Sequence, residues 1–444
     1  MTRLLSTALL FLSPVCFAAG GPNFVLIVAD DLGYGDPGCY GSKTNNTPNI
    51  DALASTGLRF TDFHSGGAMC SPTRASILTG CYPQRFGKIF DGALSGTKQR
   101  HLGLPLEAVT IAERLQKAGY ATGCFGKWNI GFAKGSRPTE RGFDEFIGHA
   151  SGNFDYYHHN YRTQHDLYQG TKELHRDGEY STDIFADAAI DFIRRQSKAK
   201  RPWFCYLPFN APHFPTAGNK RSGQPNIWQA PDWAFKEIGL SPKETDPKKR
   251  YDAVVYAMDK AIGRVLTALD KAGTANNTFV FFMSDNGGFR LGRKGLDIGI
   301  NDPLRHGGVT CWEGGLRVCA MVRWPGKIKP GTVIAEPFWS PDLMVACAQL
   351  AGAQLPKKIM LDGKDPLPLL RKGAKSSHET FYFNFRKHAA LRQGDWKIVR
   401  ERPDHPWQLF NLKEDLSESI NLAKERPGEL EKLKASFAAW EKTF

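Results

Sequence analysis

The sequence predicts an α/β layered fold backed by a small α+β unit at its C-terminal end. Three short apolar runs, each ending in polar or glycine-rich turn residues, alternate with amphipathic stretches of helical period. Past residue 360 the pattern changes to two strand-like segments and a closing helix. A chain of 444 residues exceeds what one ordinary core fills, so a large domain over 20–360 and a smaller one over 361–444 are expected.

In chain order, Arg3 precedes an apolar run over 4–17 that is too short to span a bilayer, and Ala18, Ala19 and Gly20 follow it. Positive charge, apolar run and small residues in that order read as a secretory signal peptide over 1–19. The mature chain is therefore expected to be secreted or periplasmic, without a membrane span. Cys16 is a poor site for a lipid anchor, because Ser13-Pro14-Val15 precedes it. Phe24-Val25-Leu26-Ile27-Val28 then leads into Asp30-Asp31, the run over 202–207 into Asn210, and the run over 278–283 into Ser284-Asp285-Asn286. Each reads as a fully buried strand. Stretches 109–118, 183–196 and 251–272 carry apolar residues at helical spacing and read as helices packed on the sheet. Ligands in such folds bind beyond the carboxyl ends of the strands, where both acidic pairs fall. Segments 380–386 and 388–399 read as antiparallel strands and 427–442 as the helix that closes the C-terminal unit.

Nine cysteines are scattered without the paired spacing of a zinc site or the density of a disulfide scaffold. Removing Cys16 with the signal leaves Cys39, Cys70, Cys81, Cys124, Cys205, Cys311, Cys319 and Cys347. If one is consumed chemically, the rest are odd in number and at least one other is a free, buried thiol. A net charge of +13 favours a polyanionic partner. Zinc-finger, RNA-recognition and basic-zipper patterns are all missing, which together with export argues against nucleic acid.

The chemistry concentrates in a few places. Cys70-Ser71-Pro72-Thr73-Arg74 opens a segment running to Gly80; Pro72 suits a first helical turn, and Arg74 is expected to point back one turn toward Cys70. A guanidinium there would hold anionic oxygens through charge-assisted bonds. Asp30-Asp31 and Asp285-Asn286 end two of the strands, and carboxylates so placed repel unless a cation joins them. Four oxygen side chains without a histidine select a hard ion, Ca2+ before Mg2+.

The segment from Cys70 to Gly80 resembles the signature of the sulfatase family. Further matches follow in the family's order: Thr47-Pro48-Asn49-Ile50-Asp51, Gly126-Lys127-Trp128, Ala211-Pro212-His213, Glu313-Gly314-Gly315 and Gly394-Asp395-Trp396-Lys397. The resemblance implies a large mixed β-sheet sandwiched by helices, as in alkaline phosphatase, with a smaller C-terminal α+β domain. It implies that a maturation enzyme oxidises Cys70 to formylglycine, an aldehyde whose hydrate attacks sulfur with one hydroxyl and releases sulfate with the help of the other. One hard step is thereby divided in two. It also implies that Asp30, Asp31, Asp285 and Asn286 hold the metal together with residue 70. Lys127 would bind sulfate, and His213 would bind it or protonate the leaving alcohol. A sulfated polysaccharide or oligosaccharide fits both the basic charge and the export.

Two positions depart from the family pattern. Asn129 stands where a histidine usually contacts the formylglycine hydroxyl; asparagine hydrogen-bonds but takes no proton, so either His64 or His306 serves as base or collapse is slow. Gly308 stands where a lysine usually faces the substrate sulfate, and Arg305 or His306 is expected to compensate. Losing one charged hydrogen bond costs about 1.5–3 kcal/mol, which slows a site without abolishing it. Two alternative readings use the same residues: hydrolysis of phosphodiesters or phosphonate monoesters, and a degenerate sulfatase that binds sulfated glycans without turnover.

Overall fold

Strand β1 (Asn23–Ala29) is buried along its whole length, and its side chains alternate between two cores. Val25, Ile27 and Ala29 enter one, while Phe24, Leu26 and Val28 enter the other. A strand covered on both faces reads as a continuous apolar run, which is why it was legible in the sequence. The computed structural model describes residues 20–215, 228–290, 297–356 and 359–444; the predicted signal peptide lies outside them.

Nine more strands join β1: β2 (Leu58–Phe60), β3 (Ala121–Lys127), β4 (Glu145–His149), β5 (Tyr168–Gln169), β6 (Lys172–Glu173), β7 (Trp203–Pro208), β8 (Thr278–Ser284), β9 (Ala320–Arg323) and β10 (Thr332–Ile334). Their spatial order is β10-β2-β9-β8-β1-β7-β3-β4-β5-β6. The centre, from β8 through β1, β7 and β3 to β4, is parallel. Antiparallel pairing at β9 and β5 makes the sheet mixed, as expected. The helices that cover it include α1 (Pro48–Thr56), α2 (Cys70–Thr79), α3 (Ile111–Lys117), α4 (Ser181–Lys198), α5 (Pro247–Lys271) and α6 (Asp342–Leu350). Side chains of α1, α4 and α5 pack into the core that holds Val25, and those of α2, α3 and α6 into the core that holds Phe24. Helix α5 starts before the apolar pattern does, because Asp246 caps it by accepting from Lys248 N and Lys249 N while Pro247 fills the first position.

Four antiparallel strands form the C-terminal sheet: β11 (Thr380–Phe385), β12 (His388–Gln393), β13 (Trp396–Arg400) and β14 (Gln408–Asn411). The segment 388–399, expected as one strand, is two. Gly394 adopts φ 56° and the chain reverses between Gln393 and Trp396, which are paired. Helix α7 (Pro427–Glu441) covers this sheet through Leu433, Phe437 and Trp440, and the same cluster takes in Trp312 and Trp339 of the large domain. Beneath it lie buried charges. Lys397 Nζ is 2.8 Å from both Glu313 Oε1 and Glu418 Oε1, and Arg392 pairs with Asp62 at 2.6 Å. All eight cysteines of the described residues are free, and all but Cys39 are buried.

Candidate active site

Strands β1 and β8 run parallel with Ala29 opposite Ser284, so the residues that follow them leave the sheet at one level. Asp30, Asp31, Asp285 and Asn286 are therefore brought together, all of them buried. Asp31 takes a left-handed conformation, φ 63°, which aspartate tolerates better than most residues. Its N–H donates to Asp285 Oδ1 at 3.2 Å, and Asn286 Nδ2 donates to Asp31 Oδ1 at 2.6 Å. One oxygen from each of the three aspartates lies within 4.8 Å of the others. Burial, with repulsion from the neighbouring aspartates, raises Asp31 well above the usual carboxylate range and lifts Asp285 to about 6. Asp31 Oδ2 and Asn286 Oδ1 are buried acceptors with no hydrogen-bond donor among the described residues. Converging, unsatisfied oxygens of this kind fit a hard cation.

Cations of the protein surround this cluster. Helix α2 begins at Cys70 itself. Arg74 lies near enough to Cys70 for the two charges to act on one another, and its hydrogen bonds go to the groups around it. Its Nη2 and Nε donate to Asp285 Oδ2 at 2.7 and 3.1 Å, and its Nη1 donates to Lys127 O at 3.0 Å. Lys127 closes β3, and its Nζ donates to both oxygens of Asp30 at 2.7 and 2.8 Å. Cys70 sits among these groups. Burial pushes its thiol up to about 12, Lys127 opposes, and Asp30, Asp285 and Asp31 add to the rise.

His213 follows β7 and enters the same site. Its Nδ1 faces Phe214 O at 2.7 Å and so carries the proton, which leaves a lone pair on Nε2 only 3.2 Å from Asp31 Oδ2. Two acceptors at that distance call for a cation or a proton between them, a second sign that the site takes positive charge. Burial first, then the Lys127 charge, lowers His213 to about 3, so the ring is neutral here.

Asn129, at φ 53°, is tied to the turn that carries Cys70: Ser71 Oγ lies 2.6 Å from Asn129 O and 2.9 Å from its Oδ1. The expected substitutes for the missing histidine and lysine point elsewhere. His64 Nε2 lies 3.2 Å from Glu313 Oε2, inside the charge network under the C-terminal sheet. Arg305 donates to Glu418 O, with its guanidinium over Trp312 at 3.9 Å. His306 also lies against Trp312, with ring centroids 5.6 Å apart. A lysine at 308 has no room in this backbone, since a Cβ there would stand 2.6 Å from Gly287 O, in the loop that follows Asn286.

Nothing in the residue pattern singles out His149. It ends β4 directly opposite Lys127, is fully buried, and neither ring nitrogen has a hydrogen-bond partner among the described residues. An unpaired buried polar group costs about 1–3 kcal/mol. Its ring stacks on Phe154 at 4.0 Å with an 11° tilt, and its Nδ1 lies 3.9 Å from Asp166 Oδ2. Burial, then the charges of Lys127 and Arg74, keeps it neutral well below the usual histidine range. The one trace in the sequence is a short apolar run, Phe146-Ile147-Gly148, ending in a histidine.

Comparison with known proteins agrees with this geometry. A family model described as Sulfatase matches residues 22–353, and one described as N-sulphoglucosamine sulphohydrolase, C-terminal, matches residues 309–439, so both domains are covered. The chain is 31% identical over 439 residues to N-acetylgalactosamine-6-sulfatase of Canis lupus familiaris, spanning 93% of this chain and 78% of that protein. It is 36% identical over 398 residues to arylsulfatase A of Homo sapiens, spanning 84% and 73%. Among solved structures it is similar to Ps i-CgsB in complex with k-i-k-neocarrahexaose, with TM-score 0.84, 33% identity, and 95% and 92% of the two chains covered.

Proposed function

The chain belongs to the sulfatase family and is a sulfuric ester hydrolase, and from that premise we propose that its substrate is a sulfated polysaccharide or oligosaccharide, met outside the cytoplasm. In this reading residues 1–19 direct export, a maturation enzyme converts Cys70 to formylglycine, and Asp30, Asp31, Asp285 and Asn286 hold Ca2+, with Mg2+ the alternative. The observation that carries it is the convergence of Cys70, three aspartates, Asn286, Arg74 and Lys127 at the carboxyl edge of the sheet's parallel centre. Support for a carbohydrate comes from the relatives' names, from the neocarrahexaose in the similar structure and from the net charge of +13.

Formylglycine at residue 70 supplies a hydrated aldehyde as the nucleophile. The other residues prepare its surroundings. Arg74 fixes Asp285, and through Lys127 O it also fixes the end of β3. Lys127 offers its ammonium to the sulfate oxygens, a charge-assisted contact in a water-poor site. A bound anion there offsets the Lys127 charge, the second effect after burial that disfavours a proton on His213, and so favours proton donation from His213 to the leaving alcohol. Ser71 and Asn129 hold the turn that presents residue 70.

The test is release of inorganic sulfate from a panel of marine and animal sulfated polysaccharides and their oligosaccharides. Protein with conversion at Cys70 verified by mass is compared with a Cys70→Ala variant. The variant should lose about a thousandfold or more of the rate. Sulfate release independent of Cys70 defeats the nucleophile assignment, and no release from converted protein across the panel defeats the substrate class.

A further inference from the structure

Lys127 and His149 are neighbours with complementary unmet demands. They are register partners on β3 and β4, and the Lys127 charge is the strongest acting on the imidazole. An ammonium has three N–H donors; among the described residues the acceptors of Lys127 Nζ are the two oxygens of Asp30, which leaves one N–H over. His149, a neutral ring with one donor and one acceptor nitrogen, has neither satisfied. The nitrogen nearer a carboxylate is Nδ1, 3.9 Å from Asp166 Oδ2, beyond hydrogen-bond length but close enough to favour the proton on that side. That carboxylate is held in place by Ser151 N at 2.9 Å and by the Ser151 hydroxyl. With Nδ1–H turned to Asp166, the lone pair falls on Nε2. The stack on Phe154 keeps the ring from swinging away.

We propose that His149, facing Asp166, is a positioning residue for Lys127: through one water its Nε2 accepts the remaining ammonium N–H, and so holds the ammonium where sulfate binds. This rests on the sulfatase reading of the site. It goes beyond that reading in assigning a residue that contacts neither the cation nor the nucleophile.

The experiment compares His149→Phe, which keeps the stack on Phe154 but has no acceptor, with His149→Gln, which restores one. Two readouts are used: the affinity of the unconverted full-length protein for inorganic sulfate, by calorimetry, and KM against kcat on a sulfate ester that the converted wild-type protein cleaves. Expected for His149→Phe are sulfate affinity and KM each about tenfold worse. His149→Gln should recover most of the loss. Unchanged sulfate affinity in His149→Phe overturns the proposal, as does an equal loss in both variants. Sulfate binding needs no turnover, so a failure of the proposed substrate class would leave this comparison intact.

Discussion

The carboxylates of the site were legible because strand ends announce themselves: Asp30-Asp31 and Asp285-Asn286 each follow an uninterrupted apolar run. Direction of a side chain was not. Arg74 lies beside Cys70, but its hydrogen bonds to Asp285 were not foreseen, since a buried guanidinium goes to a nearby buried carboxylate. His64 and His306, read as stand-ins for the base that Asn129 replaces, lie against Glu313 and Trp312. No histidine of the described residues thus occupies the Asn129 position, which is fixed beside residue 70 through Ser71. Asn129→His should raise kcat about tenfold, the share of one positioned proton acceptor, with little change in KM. Steady-state kinetics on converted protein measure it, and a variant no faster than wild type shows that collapse is not limiting.

At the scale of elements, strong patterns were readable and weak ones were not. Strands β1, β7 and β8 and helices α4 and α5 were read within a few residues, because their apolar periods run long. Strands of two or three residues, such as β2, β5 and β10, hold too few side chains to show a period. The reversal at Gly394 was missed because apolar residues continue on both sides of a two-residue turn. Contacts between elements are equally hidden. Asp259 on α5 accepts from Asn49 N and Ile50 N, at 3.0 and 2.8 Å, and so caps the start of α1 from another helix. Removing it, as in Asp259→Ala, should cost about 1–2 kcal/mol. Burial raises the Asp259 carboxyl from 3.8 to about 6, so the folded state binds its proton more tightly than the unfolded state does. Its contribution is complete below about pH 4, falls as pH rises toward 6 and is level above. The wild-type stability advantage over Asp259→Asn, from denaturant titrations at pH 4 and pH 7, should accordingly be larger at pH 4.

Across the whole molecule, the C-terminal sheet is joined to the site by charge as well as by apolar contact. Lys397 of β13 neutralises Glu313 and Glu418, and Glu418 Oε2 accepts from Glu313 N at 2.7 Å. Two residues on, Gly315 O accepts from Gly287 N at 3.2 Å, in the loop that follows Asn286. Lys397→Met strands two buried carboxylates and should cost about 3–5 kcal/mol in equilibrium denaturation followed by tryptophan fluorescence. Both domains should then unfold in a single transition; a separate early transition of the C-terminal sheet would show that this junction does not couple them. The depth of Cys70 has a bearing on timing. With 3% of its surface exposed on a helix whose residues are all buried, it offers an external catalyst nothing to grip once the sheet has closed. On the proposed formylglycine reading, oxidation of that thiol would be confined to the interval between translation and folding. On that reading, a chain that folded before meeting an oxidising enzyme would keep its thiol for its lifetime.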